Sequence, residues 1–210
     1  MVWWIAGGLL LLAYLLGSLP TGYAIAKLVQ GIDIREHGSG NTGATNVFRV
    51  VGKPAGIAVL IIDLLKGLSA VLIARFVMYQ VSDSLIDLSL STWVQTLAGL
   101  LAILGHSRSV WLNFTGGKSA ATGLGVILAL AWPVGLGTAV VFGLVFGLSR
   151  TVSLGSISAA TAAPALMLLT RQPLPFIVLV LLGGIYVIIR HRSNISRLLA
   201  GTEPKLGSSS

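Results

Sequence analysis

Residues 31–53, GIDIREHGSGNTGATNVFRVVGK, are the longest polar stretch in an otherwise apolar chain, and the contrast with their flanks decides the fold. Residues 3–28 before them and 54–79 after them read as membrane-spanning helices, each beyond the roughly 20 apolar residues that a crossing requires. Every residue from Gly38 to Asn46 is Gly, Ser, Thr, Asn or Ala, so the backbone can approach a ligand closely and present N–H donors to it. Arg35, Arg49 and Lys53 surround this tract. A backbone nest edged by cations suits a phosphate, and a helix starting at Ala44 would turn its N-terminus toward that anion. A flexible surface loop is the competing reading, but a membrane protein with short connections has little reason to keep so long a Gly/Asn tract.

The rest of the composition agrees. Hydrophobic residues make up 55% and charged residues 10% of 210 residues, and the mean hydropathy is +0.92, values of a polytopic membrane protein. The expected fold is all-α, a single membrane domain over residues 1–206 with about seven transmembrane helices, followed by a flexible end or expression scar at 207–210. The formal charge of +8 could suggest nucleic acid. The cations, however, sit singly at span ends and in loops without interleaved aromatics, so nucleic acid is excluded in favour of anionic lipid and a small anionic substrate. With no cysteine there is no disulfide, thiolate metal site or cysteine nucleophile. The N-terminal run lacks a basic leader and a small-residue cleavage site, so it reads as a retained span.

In order, the first span should kink where Gly17, Ser18 and Pro20 interrupt it. The second, residues 54–79, carries Asp63 and Lys66 three apart on one face, where they can pair; ionisable groups at that depth are either functional or mutually neutralising. Residues 80–92, with Asp83 and Asp87, read as an acidic loop, and residues 93–104 as a short third span ending at Gly105–His106. GHSRSVWLNFTGGKSAATG (105–123) is too polar to span and should lie at the bilayer interface. Residues 120–131 and 133–148 form spans four and five as a tight hairpin at Trp132–Pro133; residues 152–169 and 174–189 are spans six and seven. The chain closes on RHRSNISRLLAGTEPKL, a basic amphipathic tail in which His191 and Asn194 share a face of any continuing helix.

Two motif matches fail on context. Gly116–Gly117–Lys118–Ser119 resembles the end of a nucleotide P-loop, but Leu112 stands where its first glycine belongs; Gly38, Gly40 and Gly43 satisfy G-x-G-x-x-G with no strand before them. Charge fixes the orientation. Given seven spans, the loops near 27–53, 106–118, 150 and 190–205 share one side and hold eleven of the fourteen Lys and Arg residues, which makes that side cytoplasmic and places the N-terminus outside. Every polar motif then faces one compartment, as a composite site requires.

The strings GSLP (17–20), GIDIREHGSGNTGATN (31–46), GHSRSVWLNFTGGK (105–118) and RHRSNISRLLAGTE (190–203) resemble the bacterial membrane glycerol-3-phosphate acyltransferases that take acyl phosphate as donor. The resemblance covers nearly the whole chain. Family members often carry proline at the position of Ser109, a basic residue at Thr115 and glycine at Ser119, so this chain has one cation fewer near Lys118. The resemblance implies transfer of a fatty acyl group from acyl phosphate to the 1-hydroxyl of glycerol 3-phosphate. The products would be lysophosphatidic acid and phosphate, formed without cofactor, metal or obligate protein partner in the bacterial cytoplasmic (inner) membrane. It also implies that Ser39, Arg49, Lys118, His191 and Asn194 line the site. Arg49 and Lys118 would neutralise phosphate, Asn41 and Ser39 would donate hydrogen bonds, the Gly116–Gly117 backbone would face phosphate, and Ser156 would assist. His191 is the candidate base, but a substrate phosphate oxygen can take the proton instead and is the preferred acceptor; simpler roles are a positioning hydrogen bond for His191 and a helix cap for Ser39. An anion transporter would also use broken helices, but no inverted repeat is evident. A phospholipid head-group transferase would need an acidic metal cluster, and the six acids are scattered.

Overall fold

A computed structural model describes residues 1–81 and 85–207. Among these the only regular structure is helical, apart from one isolated bridge between Ser109 and Thr115. The helices are α1 (Val2–Ser18), α2 (Thr21–Gln30), α3 (Ala44–Val50), α4 (Lys53–Val81), α5 (Leu85–Ser107), α6 (Ala120–Leu130), α7 (Trp132–Ser149), α8 (Val152–Leu169), α9 (Leu174–Arg190) and α10 (Arg192–Leu199). The chain divides into two compact units, Met1–Leu130 and Ala131–Ser210.

In the first unit α4 is central and packs against α1, α2, α3, α5 and α6. Its buried stripe is Gly56, Val59, Asp63, Lys66, Gly67, Ala70, Val71, Ala74 and Met78, while Leu60, Ile61, Leu65, Leu72 and Phe76 point outward. Small and polar residues inside with large apolar ones outside is the pattern of a helix whose outer solvent is lipid, where packing rather than hydrophobic exclusion joins helices. Close approach is visible in the backbone. A Cβ at Gly67 would overlap the Thr122 carbonyl, and one at Gly125 the Leu64 carbonyl, so α4 and α6 interlock through reciprocal glycines. In the second unit α7 packs on α8, α8 on α9, and α9 on α10.

Pro20 divides the first span into α1 and α2, as expected of a residue without an N–H, and α8 has the predicted bounds. Other boundaries differ. The expected acidic loop at 80–92 is largely helix: α4 continues to Val81, α5 begins at Leu85, and Asp83 and the side chain of Asp87 lie outside the described residues. Within α5, Thr96 Oγ1 donates to the Thr92 carbonyl at 2.8 Å and Gln95 Nε2 to Ser91 Oγ at 3.2 Å, so these polar groups are satisfied along the helix itself. At its other end α5 runs through His106 to Ser107 instead of stopping at Gly105. The tail does not continue α9 straight; α10 is bent from it by 60°.

Among the described residues, four helical segments are long and apolar enough to cross a membrane: Val2–Gln30 taken across its break, Lys53–Val81, Trp132–Ser149 and Val152–Leu169. The bent pair α9–α10 makes a fifth. α5 has 23 residues, and α6, with 11 residues, rises only about 16 Å.

Candidate active site

The polar loop before α3 is built around one amide. Asn46, buried in the first turn of α3, donates from Nδ2 to the carbonyls of Ile34 (3.3 Å), His37 (3.0 Å) and Asn41 (2.9 Å), and its Oδ1 accepts from the Ser39 N–H at 2.9 Å. Beneath it Ala26, Ile34, Val47 and Val59 form a closed apolar cluster. A Cβ at Gly38, where φ is 59°, would run into Asn46 Oδ1, so glycine is required there for both backbone and space. Asn41 Oδ1 accepts from the Gly43 N–H at 2.8 Å, leaving its amide hydrogens as what Asn41 can offer a ligand. Ser39 and Arg49 are exposed.

Two features of the expected phosphate nest change. The N–H groups of Ser39, Gly40 and Gly43 are used within the loop. Arg35 is bound to its neighbour, Nη2 lying 2.6 Å and Nε 3.1 Å from Asp33 Oδ2, with the guanidinium 5.3 Å from the centre of the Tyr23 ring. Its hydrogen bond holds the Asp33 carboxyl down to about 2. Arg35 is thus engaged within the loop, and Arg49 and Lys53 are the other cations of this stretch.

The second polar loop folds back onto the end of α5. The Gly117 N–H donates to the His106 carbonyl at 3.1 Å, and Ser109 N–H to the Thr115 carbonyl at 3.3 Å. Asn113, Phe114 and Ser119 have φ of 51°, 57° and 62°. Ser119 Oγ donates to the Ile103 carbonyl at 2.7 Å and also bonds Ser107 Oγ, and Ser109 Oγ donates to the Ser18 carbonyl at 2.6 Å. Lys118, half-buried, projects from this anchored turn. The loops before α3 and after α5 meet at a pocket lined by Thr42, Asp63, Lys66, His106 and Ser109. The buried Asp63 and Lys66 pair at 2.8 Å, and His106 Nδ1 lies 3.5 Å from the same Asp63 oxygen. The pairing was legible from the i, i+3 spacing, whereas His106, forty-three residues on, was not.

In the second unit His191 is the junction between α9 and α10, and its Nδ1 lies 2.7 Å from the Val187 carbonyl. A carbonyl only accepts, so this contact puts a ring hydrogen on Nδ1. Asn194 and Ser156 are buried. Glu203, which no motif singled out, ties the tail together: its Oε1 accepts from Ser153 Oγ at 2.7 Å and Asn194 Nδ2 at 2.6 Å, and its Oε2 from Arg197 Nε at 2.7 Å. Burial pushes the Glu203 carboxyl up, but the hydrogen bonds from Asn194, Ser153 and Arg197 outweigh it and hold the group below its ordinary value. The first unit thus holds Ser39, Asn41, Arg49, Gly116, Gly117 and Lys118, and the second Ser156, His191 and Asn194.

Anchored polar loops bearing Arg and Lys on helices with apolar outer faces define an all-helical integral membrane protein. Residues 7–201 match the family model for glycerol-3-phosphate acyltransferase, and the chain belongs to that family. It is 61% identical to "Glycerol-3-phosphate acyltransferase 2" of Rhizobium johnstonii, the match covering 99% of both chains. It is 54% identical to the glycerol-3-phosphate acyltransferase of Acaryochloris marina, covering 98% of this chain and 95% of that one. Among solved structures it resembles PlsY (YgiH), an integral membrane glycerol 3-phosphate acyltransferase. The glycerol 3-phosphate form aligns with a TM-score of 0.86 at 41% identity over 96% of both chains. The lysophosphatidic acid form aligns with a TM-score of 0.83 at 40% identity, over 96% of this chain and 95% of that one.

Proposed function

We propose that the chain transfers a fatty acyl group from acyl phosphate to the 1-hydroxyl of glycerol 3-phosphate, releasing lysophosphatidic acid and inorganic phosphate at the cytoplasmic face of the bacterial inner membrane. The observation that carries this reading is the family match over residues 7–201, which takes in the first three polar motifs and the fourth as far as Gly201. The substrate and product forms of PlsY support the acceptor and the product. The donor is argued from chemistry. An acyl phosphate is a mixed anhydride whose leaving group is already activated, so acyl transfer needs neither a covalent nucleophile nor a metal, only positioning and charge stabilisation.

In this mechanism Arg49 and Lys118 neutralise the phosphates, with Ser39, Asn41 and the Gly116 backbone as neutral donors. The glycerol hydroxyl oxygen attacks the acyl carbon and the carbon–oxygen bond to phosphate breaks. The hydroxyl proton passes to His191 Nε2 or to a phosphate oxygen of a substrate. The Val187 contact holds the Nδ1 edge of the ring and so fixes the direction in which its other edge points. Asn194 and Ser156 would orient the acceptor.

The deciding assay is lysophosphatidic acid formation by the purified protein, with acyl phosphate or acyl-CoA as donor and with or without excess chelator. Turnover with acyl phosphate alone, unaffected by EDTA, is expected; robust use of acyl-CoA, or loss on chelation restored by a divalent ion, would overturn the donor and mechanism. The proposed seven crossings, with the N-terminus outside, are checked with cysteines at two exposed positions. Thr170→Cys should react with an impermeant thiol reagent from outside intact cells and Glu36→Cys should not. Labelling of both from the same side would refute the arrangement.

A further inference from the structure

We propose that Asp63, Lys66 and His106 form a positioning network that sets the conformation of the turn carrying Lys118. The inference rests on the reading of Lys118 as a phosphate-binding residue, and the network itself lies wholly within the first unit. Asp63 and Lys66 are 2% and 5% exposed on a helix whose outer face meets lipid, where two ionised groups are costly and an apolar pair of similar size would pack as well. What the charged pair adds is direction. Lys66 Nζ donates to the Leu19 carbonyl at 3.1 Å, where Pro20 breaks the first span, and lies 2.8 Å from Asp63 Oδ1. That carboxylate oxygen faces His106 Nδ1 at 3.5 Å, an electrostatic contact longer than a good hydrogen bond, which turns that edge of the imidazole toward α4.

The opposite edge of the ring lies against the second polar loop. A Cβ at Gly117 would overlap His106 Nε2, and the Gly117 N–H is held by the His106 carbonyl at 3.1 Å. His106 therefore touches the residue before Lys118 with both its ring and its backbone. A chain of contacts runs from the break in the first span through Lys66, Asp63 and His106 to Gly117. Releasing the ring would release the turn.

The test uses the full-length protein in detergent, with hydrogen exchange of the 105–119 peptide, thermal midpoint and kcat/KM for glycerol 3-phosphate as readouts. Asp63→Leu/Lys66→Met removes both charges without stranding either. It should stay folded, exchange about tenfold faster in the 105–119 peptide but not in the 190–203 peptide, and lose about tenfold or more in kcat/KM. Asp63→Asn/Lys66→Met, neutral but still an acceptor for His106, should recover most of that loss. Gly117→Ala should cost at least about tenfold alone but under about threefold when added to His106→Ala, because the obstructing ring is gone. Unchanged exchange and activity in the folded Leu/Met variant, or an equal Gly117→Ala penalty in both backgrounds, would overturn the network. If the Leu/Met variant does not fold, the Gly117 cycle decides alone. Exchange is read without turnover, so a wild-type protein inactive with acyl phosphate would count against the donor reading, and the exchange result would still decide for or against the network.

Discussion

Asn46 in the first unit and Glu203 in the second do the same job with different chemistry. Each is a single side chain to which several partners from a polar segment converge: three carbonyls and one N–H on Asn46, and Ser153, Asn194 and Arg197 on Glu203. The amide serves donors and acceptors together and carries no charge, so its hold does not depend on pH. The carboxylate only accepts and is strongest ionised, so its hold has an acid limit. A loop containing both free carbonyls and free N–H groups needs the first kind of tie; a tail supplying only donors is served by the second.

The largest expected effect is that of Asn46→Asp, which sets an acceptor against three carbonyls in a buried site, each unmet group costing about 1–3 kcal/mol. We expect a loss of about a hundredfold or more in kcat/KM with helical content retained, measured by the acyl-transfer assay and circular dichroism. Near wild-type activity would mean that the amide does not hold the loop. Glu203→Gln comes next. It keeps the shape but loses the charge in three hydrogen bonds, and should lower the thermal midpoint in detergent at neutral pH. Because Glu203 is held below its ordinary value, its stabilisation is complete above the unfolded-state value and fades as pH falls through the folded-state value. The gap between wild type and variant should therefore narrow in acid, and a gap constant from neutral pH to well below the glutamate range would erase the distinction from Asn46.

The smallest effect should come from Arg75→Ala, which touches neither tie. Arg75 Nε donates to Gln95 Oε1 at 2.8 Å and Nη2 to the Leu130 carbonyl at 3.4 Å, joining α4, α5 and the end of α6. Losing this should lower the midpoint by about 2–4 °C per kcal/mol removed, roughly 1 kcal/mol being the worth of one such bond. Activity per folded molecule should not change.

How much of this was legible follows from the range of each interaction. The Pro20 break, the bounds of α8 and the Asp63–Lys66 pair rest on neighbours within a turn or two, and sequence spacing shows such neighbours directly. The polar tract was also readable as a loop from its residue types. That Asn46 organises it was not, because the partners, Ile34 to Asn41, precede it by five to twelve residues in an irregular path with no period. Glu203 finds Ser153 from fifty residues away, and Arg35 looked available until its geometry put it on Asp33. α5 was underestimated because Asp83 and Asp87 marked 80–92 as an acidic loop, whereas the helix already runs from Leu85.

Ser119 occupies a left-handed backbone conformation that glycine adopts without strain. For a residue with a Cβ that conformation costs about 1–2 kcal/mol. The hydroxyl gains its bonds to the Ile103 carbonyl and Ser107 in exchange, a net worth of about 0.5–1.5 kcal/mol each. The two nearly cancel, so exchanging this serine for glycine trades hydrogen bonds for backbone ease at almost no net cost, and the loop keeps its course either way.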